Sequence, residues 1–365
     1  MKKFVVLGGY GNIGKVIVKD LFESCKNGII IAGNDLKKAK HYANSFHNKR
    51  VKYAKVDVTN IKETSRLLKN ADVCINSTQY YYNLHVMKAC LISKTNYLDL
   101  GGLFHMTRKQ LKLNNKFKKI NKAAILGCGS TPGITNILAS YGYKKLKHVS
   151  EIHISFGDYD KTRYNPPFIL PYSMNTLLDE FTLKPPVLTK GKLKFFRPGY
   201  GEHYIEFPKP VGKIKGVYSI HSELATFPKS FKLKECTFTL TFPEEFIKEI
   251  KSLINEGVKN KREIKIMNQW PPNPKTKIND LEYVRVELIG NKKIILDCLT
   301  KSRFNISAGT YDTATPASII AQFISKNKIN FKGASAPEFI VPELEFFKEL
   351  KKRNIFIYLN NKKVI

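Results

Sequence analysis

Four apolar residues, Phe4-Val5-Val6-Leu7, run directly into Gly8-Gly9-Tyr10-Gly11-Asn12-Ile13-Gly14. A strand that breaks into G-x-G-x-x-G and resumes as an amphipathic helix has few folds open to it. Gly9 permits the tight turn, and Gly11 lets the backbone approach a pyrophosphate. Gly14 lets the next helix start against the strand, with its first amides toward the phosphates. Lys15 to Cys25 supplies that helix, and Tyr10, Asn12 and Ile13 complete the loop. Gly9 to Lys15 also satisfies the phosphate-loop pattern G-x-x-x-x-G-K. Val16, however, stands where that pattern needs a magnesium-holding hydroxyl, so a dinucleotide site is the preferred reading.

The segments that follow alternate, as in a doubly wound parallel α/β sheet. Strands are expected at 28–33, 51–56, 72–76, 96–99 and 123–127, with helices at 36–46, 60–69, 80–93 and 105–121. With the first strand this makes a complete Rossmann-type domain. Asp35 lies 21 residues beyond Gly14 at the end of the second strand, where a carboxylate bonds the cofactor ribose, although it also suits the N-cap of the next helix. No Arg stands there, only Asn34, Lys37 and Lys38, so NAD is favoured, with NADP as the alternative. Asp57, Val58, Ser77 and Thr78 follow the third and fourth strands and are counted with the cofactor site.

Composition sets the outer limits. At 365 residues and 42% hydrophobic, the chain has material for two domains. Met1-Lys2-Lys3 precedes only a short apolar stretch, so no secretory leader is expected, and no apolar run reaches a membrane span. The six cysteines form no C-x-x-C pair, so no metal site is expected and a cytoplasmic setting is inferred. The net charge of +32 invites a nucleic-acid reading. Yet 53 of the 62 basic residues are Lys, spread evenly and without a base-reading motif, so neither nucleic acid nor membrane is expected as a partner.

Gly127-Cys128-Gly129-Ser130-Thr131-Pro132-Gly133 leaves a strand and leads into Ile134 to Ala139. Ser/Thr at an N-cap with Pro at the first helical position predicts a helix start whose amides receive a substrate carboxylate. Gly129, Thr131, Pro132, Gly133 and Asn136 are the substrate-binding candidates. Further on, 149–156 and 235–242 alternate as half-buried strands, and 281–299 reads as two strands around Gly290-Asn291. Stretches rich in Pro and Gly at 165–172, 184–201 and 208–216 predict long loops, and helices are expected at 314–326 and 342–353.

The glycine turn, Tyr97-Leu98-Asp99, the segment 127–139, His221-Ser222-Glu223 with Thr226-Phe227-Pro228, and the carboxyl-terminal Pro337-Glu338-Phe339 together resemble the saccharopine dehydrogenase family, in pattern its lysine 6-dehydrogenase-like branch. The resemblance implies a Rossmann domain at 1–130 and an α+β substrate and dimerisation domain with a mixed sheet at 131–308. It also implies carboxyl-terminal helices, 309–365, that return to the first domain. Saccharopine reductases carry Asp where this chain has Thr131, and the family's Arg after the second strand is replaced by Asn34.

The implied activity is NAD(P)-dependent oxidative deamination of the side-chain amine of L-lysine, in a homodimer acting on a small amino-acid substrate. Reductive condensation of the saccharopine or carboxynorspermidine type is the alternative, followed by non-catalytic nucleotide binding. Removing hydride from an amine carbon requires a base that first takes the ammonium proton. His221, Glu223 and Asp99 are the candidates.

Overall fold

The computed structural model describes residues 2–162, 173–255 and 277–365. They form two units, Met1–Tyr141 with Thr310–Arg353 and Gly142–Gly309 with Asn354–Ile365. In the first, β1 (Lys3–Leu7), α1 (Asn12–Ser24), β2 (Gly28–Gly33), α2 (Leu36–Asn44), β3 (Val51–Lys55), α3 (Ile61–Leu68), β4 (Val73–Asn76), α4 (Asn83–Ser93), β5 (Asn96–Asp99), α5 (Leu103–Leu111), α6 (Asn114–Lys119) and β6 (Ala123–Ile125) alternate as expected. Their parallel strands run in the order β6-β5-β4-β1-β2-β3. Phe4 to Leu7 and Val73 to Ile75 are fully buried, because strands covered by helices on both faces need continuous apolar runs. The helix expected over 105–121 is two helices. Asn114, opening α6, turns its Oδ1 to the amide of Ala334 at 2.9 Å instead of continuing the first helix.

α7 (Ile134–Tyr143) leads to the second unit. There β7 (Val149–Asp160), α8 (Met174–Thr182), β8 (Pro186–Thr189), β9 (Lys192–Phe195), β10 (His203–Glu206), β11 (Lys213–Tyr218), α9 (Phe227–Ser230), β12 (Glu235–Thr241), α10 (Glu244–Asn255), β13 (Asp280–Gly290) and β14 (Lys293–Lys301) build a mixed sheet in the order β10-β11-β12-β7-β13-β14. β12 runs parallel to β7, whereas β13 runs antiparallel to it and returns through Gly290 as β14. Of the expected loops, 184–201 contains the β8–β9 hairpin and 208–216 runs into β11, while 165–172 lies outside the described residues. Met174 and Leu177 of α8 and Ile250 of α10 pack on Leu240 and Phe242.

The carboxyl-terminal segment serves both units. α11 (Ala308–Ser325), β15 (Gly333–Ser335) and α12 (Glu343–Lys352) come first, followed by β16 (Phe356–Leu359) and β17 (Lys362–Lys363). β15 pairs in parallel with β6 and makes the Rossmann sheet seven-stranded. Arg353, at the end of α12, grips Asp20 of α1 through Nε at 2.6 Å and Nη2 at 3.0 Å. The chain therefore divides at 141/142 and 309/310 rather than at 130/131 and 308/309. Residues 354–365 do not stay with the helices but extend the second sheet beside β14, because Phe356 to Leu359 pairs with Leu296 to Leu299.

One feature of this second sheet runs against ordinary strand chemistry. Asp158 stands opposite Glu282 and Asp160 opposite Asp280, so like charges face each other across β7 and β13. Burial, followed by repulsion from Asp160 and Asp280, pushes the Asp158 carboxyl up to about 6. A carboxyl raised above its ordinary 3.8 binds its proton more tightly when folded, so its stabilising effect holds at low pH and is lost as pH rises toward 6. Asp158→Asn is therefore expected to stabilise the protein at pH 7 by about 1–3 kcal/mol. The difference should vanish near pH 4, as read by thermal unfolding at the two pH values, and equal midpoints at pH 7 would contradict it.

Candidate dinucleotide site and acid–base residues

The turn after β1 is built around missing side chains. A Cβ on Gly14 would lie 2.1 Å from the Gly8 carbonyl oxygen and 2.7 Å from Gly9 Cα, so only glycine lets α1 start this close to β1. At Gly9 it would meet the Val6 carbonyl at 2.9 Å. Gly11 differs, because its Cβ would touch only the Gly8 oxygen, at 3.2 Å, and otherwise face open space. No side chain caps α1, so its first-turn amides are not claimed by one. A glycine face open on one side, beside uncapped helix amides, fits a dinucleotide pyrophosphate. The nicotinamide of such a cofactor accepts or delivers hydride.

At the end of β2 the Tyr10 ring lies over Gly33, where a Cβ would be 2.5 Å from its hydroxyl. That hydroxyl donates to Asn34 Oδ1 at 2.8 Å and accepts the Asp35 amide at 2.9 Å, so Tyr10 and Asn34 form one assembly. Asp35 is the N-cap of α2, its Oδ1 accepting the Lys38 amide at 3.0 Å. Asp57 is likewise engaged, accepting the amide and hydroxyl of Thr59 at 2.9 and 2.7 Å, which hold its carboxyl below the ordinary value. Val58 beside it is buried. Ser77 bonds the Leu7 carbonyl through its amide and its hydroxyl, against the glycine turn, while Thr78 donates to Asn76 Oδ1 at 2.7 Å.

Asp99 does not stand ready as a base. Its Oδ1 accepts the amides of Gly127 at 2.7 Å and Gly101 at 3.0 Å, and its Oδ2 accepts the Tyr97 hydroxyl at 2.8 Å and Gln110 Nε2. Burial raises its pKa, and the hydrogen bonds from Gly127, Gln110, Tyr97 and Gly101 offset that only in part. With four donors the carboxylate is filled, so Asp99 is a positioning residue tying the ends of β5 and β6. The network extends through Asn83, which bonds Asn76 at 2.9 Å and the Gly101 carbonyl at 3.0 Å. Sequence reading missed Asn76, Asn83 and Gln110; the available signal was a polar residue closing the otherwise apolar Val73-Cys74-Ile75-Asn76.

The expected anion-binding helix start is also corrected. α7 begins at Ile134, and Thr131 and Pro132 lie in the preceding turn. The Gly133 amide is bound by Asn136 Oδ1 at 2.9 Å, Ile134 by the Gly129 carbonyl at 2.9 Å and Thr135 by the Ser130 carbonyl at 3.2 Å. Asn136 Nδ2 in turn donates to the buried carboxylate of Glu338 at 2.8 Å. Gly129, Gly133 and Asn136 are thus brought together as a closed turn, and these amides have no capacity left for a substrate carboxylate. Gly133, at φ +136°, could not carry a side chain, whose Cβ would sit 2.0 Å from the Gly129 oxygen.

His221 and Glu223 lie in the second unit, between β11 and α9, and they do meet. His221 Nδ1 contacts Glu223 Oε2, and the ring stacks on Phe238 at 3.7 Å and 4°. Both are buried, Glu223 completely. Burial disfavours the imidazolium, but the Glu223 carboxylate and more distant Glu180 outweigh it, so the pKa of His221 is raised. An oriented imidazole held by a buried carboxylate can store and return a proton near neutral pH. Among the described residues no cluster of His, Cys, Asp or Glu is arranged to hold a metal ion, and no helix is long and apolar enough to cross a membrane.

These glycines separate folding from binding. Gly11→Val is expected to leave the fold intact and abolish nicotinamide-nucleotide binding in calorimetry, since its side chain projects into the open face. Gly14→Ala is expected to destabilise by at least the 1–3 kcal/mol or so of ordinary overpacking. Undiminished cofactor affinity in Gly11→Val would refute the site.

Residues 4–125 match the family model of the saccharopine dehydrogenase NADP binding domain. The chain is 26% identical over 296 residues to carboxyaminopropylagmatine dehydrogenase of Synechocystis sp., covering 78% of this chain and 72% of that protein. It is 25% identical over 217 residues to carboxynorspermidine synthase of Vibrio cholerae, covering 55% and 51%. Among solved structures, saccharopine dehydrogenase (L-Glu forming) from Saccharomyces cerevisiae superposes with a TM-score of 0.75 over the whole of both chains at 14% identity. Homospermidine synthase from Legionella pneumophila, in complex with NAD, gives 0.71 at 14% identity over 99% of this chain and 92% of that one. At such identity the two structures speak for the fold. These relatives favour the condensing alternative over the lysine 6-dehydrogenase-like branch. Residues 4–125 thus carry a dinucleotide-binding domain of the saccharopine dehydrogenase type, and the chain has the fold of saccharopine dehydrogenase.

Proposed function

We propose that this protein is a reductive condensing dehydrogenase that joins a primary amine of the diamine or polyamine class to a carbonyl compound bearing an amino-acid carboxylate. The observation that carries this reading is the match to carboxyaminopropylagmatine dehydrogenase across 78% of the chain. Oxidative deamination of L-lysine loses ground for the same reason.

In the proposed reaction the neutral amine attacks the carbonyl carbon, the new C–N bond forms, and the oxygen leaves as water to give an imine. A reduced nicotinamide held at the turn of Gly9, Gly11 and Gly14 would supply hydride to the carbon of the protonated imine, leaving a secondary amine. The unbound amine is an ammonium with a pKa near 10.4, so a proton must be removed first and returned to the departing oxygen. His221 is assigned this proton, with Glu223 orienting its ring and stabilising its charged form. His221→Ala should lower kcat roughly 10²–10⁴-fold. Glu223→Gln should shift the imidazole-dependent limb of the pH–rate profile to lower pH, since the carboxylate is what raises the His221 pKa. An unmoved limb would remove the dyad from the mechanism.

The decisive assay follows the absorbance of reduced nicotinamide with panels of primary amines, 2-oxo acids and amino-acid semialdehydes. Oxidation of the cofactor only when an amine and a carbonyl partner are both present is the expected result. Reduction of NAD by L-lysine alone would return the protein to oxidative deamination.

We further infer tighter binding of NAD than of NADP, because Asp35 follows β2 by two residues and Gly33 to Lys38 contains no arginine. Asp35→Asn keeps a capping side chain while removing the charge, and it should narrow the difference in calorimetric affinity. An unchanged ratio would leave Asp35 as a cap alone.

A further inference from the structure

We propose that Phe238 is a positioning residue for the proton transfer assigned to His221: its ring holds the imidazole face to face, keeps Nδ1 on Glu223 and leaves Nε2 as the atom that exchanges the substrate's proton. This rests on the condensing reading above and deepens it, since it names the platform on which the acid–base dyad stands.

The stack suits a charged ring. The His221 and Phe238 centroids lie 3.7 Å apart with the planes 4° from parallel. Neutral aromatic rings prefer edge-on or offset contacts at about 4.5–7 Å, because superimposed faces set like quadrupoles against each other. Close by, Phe156 and Phe242 meet in that preferred way, at 5.8 Å and 78°. A cation over a ring face is attracted to it instead. Stacking alone does not identify a cation, since Phe196 and Tyr200 also lie at 4.1 Å and 7°. His221 is set apart by its charged neighbours. Glu223 in its own turn and Glu180 of α8 both favour the imidazolium, and the face of Phe238 acts in the same direction.

Phe238 is itself fixed before it meets the imidazole. β12 pairs with β7 over Glu235 to Thr239 and with β11 over Thr239 to Thr241. The Phe238 carbonyl accepts the Ser219 amide at 3.0 Å, two residues before His221. One residue therefore pins the chain leaving β11 by its backbone and the imidazole by its side chain. Phe156 of β7 flanks the ring at 6.5 Å. Cys236 stands two residues earlier on the same face of β12, where burial and then the nearby Glu223 charge raise its thiol above the ordinary value. Alternate residues of one strand thus serve the two halves of the dyad, Phe238 the imidazole and Cys236 the surroundings of the carboxylate.

The plane of the ring decides which nitrogen works. Among the described residues the ring makes one hydrogen bond, from Nδ1 to Glu223 Oε2, so Nε2 is the nitrogen left to exchange a proton. Turning the imidazole out of this plane would lose the stack and the carboxylate together.

Phe238→Leu in the full chain keeps an apolar side chain and removes the ring face. The His221 titration is read by nitrogen-15 histidine NMR, with its signal assigned by loss in His221→Gln. The midpoint is expected to fall by about 0.5–1.5 pH units. The imidazole-dependent limb of kcat, measured with spermidine or agmatine and a carbonyl partner, should move down by the same amount while KM and cofactor affinity stay within twofold. Ring-fluorinated phenylalanine at 238 nearly keeps the shape and weakens the negative face, so the midpoint should fall stepwise with fluorine number in a protein packed as before. A midpoint unmoved by fluorination would overturn the role of Phe238 and leave the proposed reaction standing. A midpoint that moves while the rate limb stays would overturn His221 as the proton carrier, and with it the role given to Phe238. A midpoint that moves in a protein condensing no amine with any carbonyl compound would uphold the stack and overturn the reaction.

Discussion

The backbone of Gly14 lies so close to the carbonyl of Gly8 that even one methyl group would sit 2.1 Å from oxygen. Everything the dinucleotide domain does depends on that contact. It fixes where α1 starts relative to β1 and leaves the first-turn amides without a capping side chain. It also leaves Gly11 as the position whose missing side chain faces outward. Ser77 then closes the other flank, its hydroxyl on the Leu7 carbonyl, so the end of β4 moves with the turn. The loop is thus a rigid consequence of packing rather than a flexible strap.

Buried carboxylates carry much of the remaining logic, and they differ by how their oxygens are satisfied. Asp99 is saturated by four donors and acts as a clamp between strand ends. Glu223 faces an imidazole and sets its basicity. Glu338 accepts from Asn136 and thereby closes the turn that precedes α7. Asp158 faces another carboxylate and keeps an oxygen unpartnered. A low local dielectric makes each arrangement consequential, since a filled carboxylate rigidifies its surroundings and a poorly filled one holds its proton more tightly.

The same physics separates two kinds of arginine contact. Arg353 binds Asp20 bidentately and fastens the carboxyl-terminal helix to α1. Arg285 does likewise with Asp297 across β13 and β14, on the opposite face from Glu282 and Thr300. Both arginines are buried and both neutralise their partners. Asp158, by contrast, stands opposite another carboxylate, Glu282, across β7 and β13.

The amino-acid sequence by itself determined the Rossmann alternation, the glycine turn and the strands through Asp99. Strands buried on both faces must be apolar throughout, and helix caps such as Asp35 and Asn60 act within three residues. His221 and Glu223 were legible as a pair for the same short-range reason. Tertiary structure decided what depends on distant partners. Gly333-Ala334-Ser335 has no strand signal of its own and becomes a strand only beside β6. Asp99 reads as a base until the donors of residues 97, 101, 110 and 127 are seen to fill it. The Thr131-Pro132 start of α7 gave way because Asn136 reaches back to the Gly133 amide. Asp158 and Glu282 are 124 positions apart, and only strand register, a long-range property, sets their charges face to face.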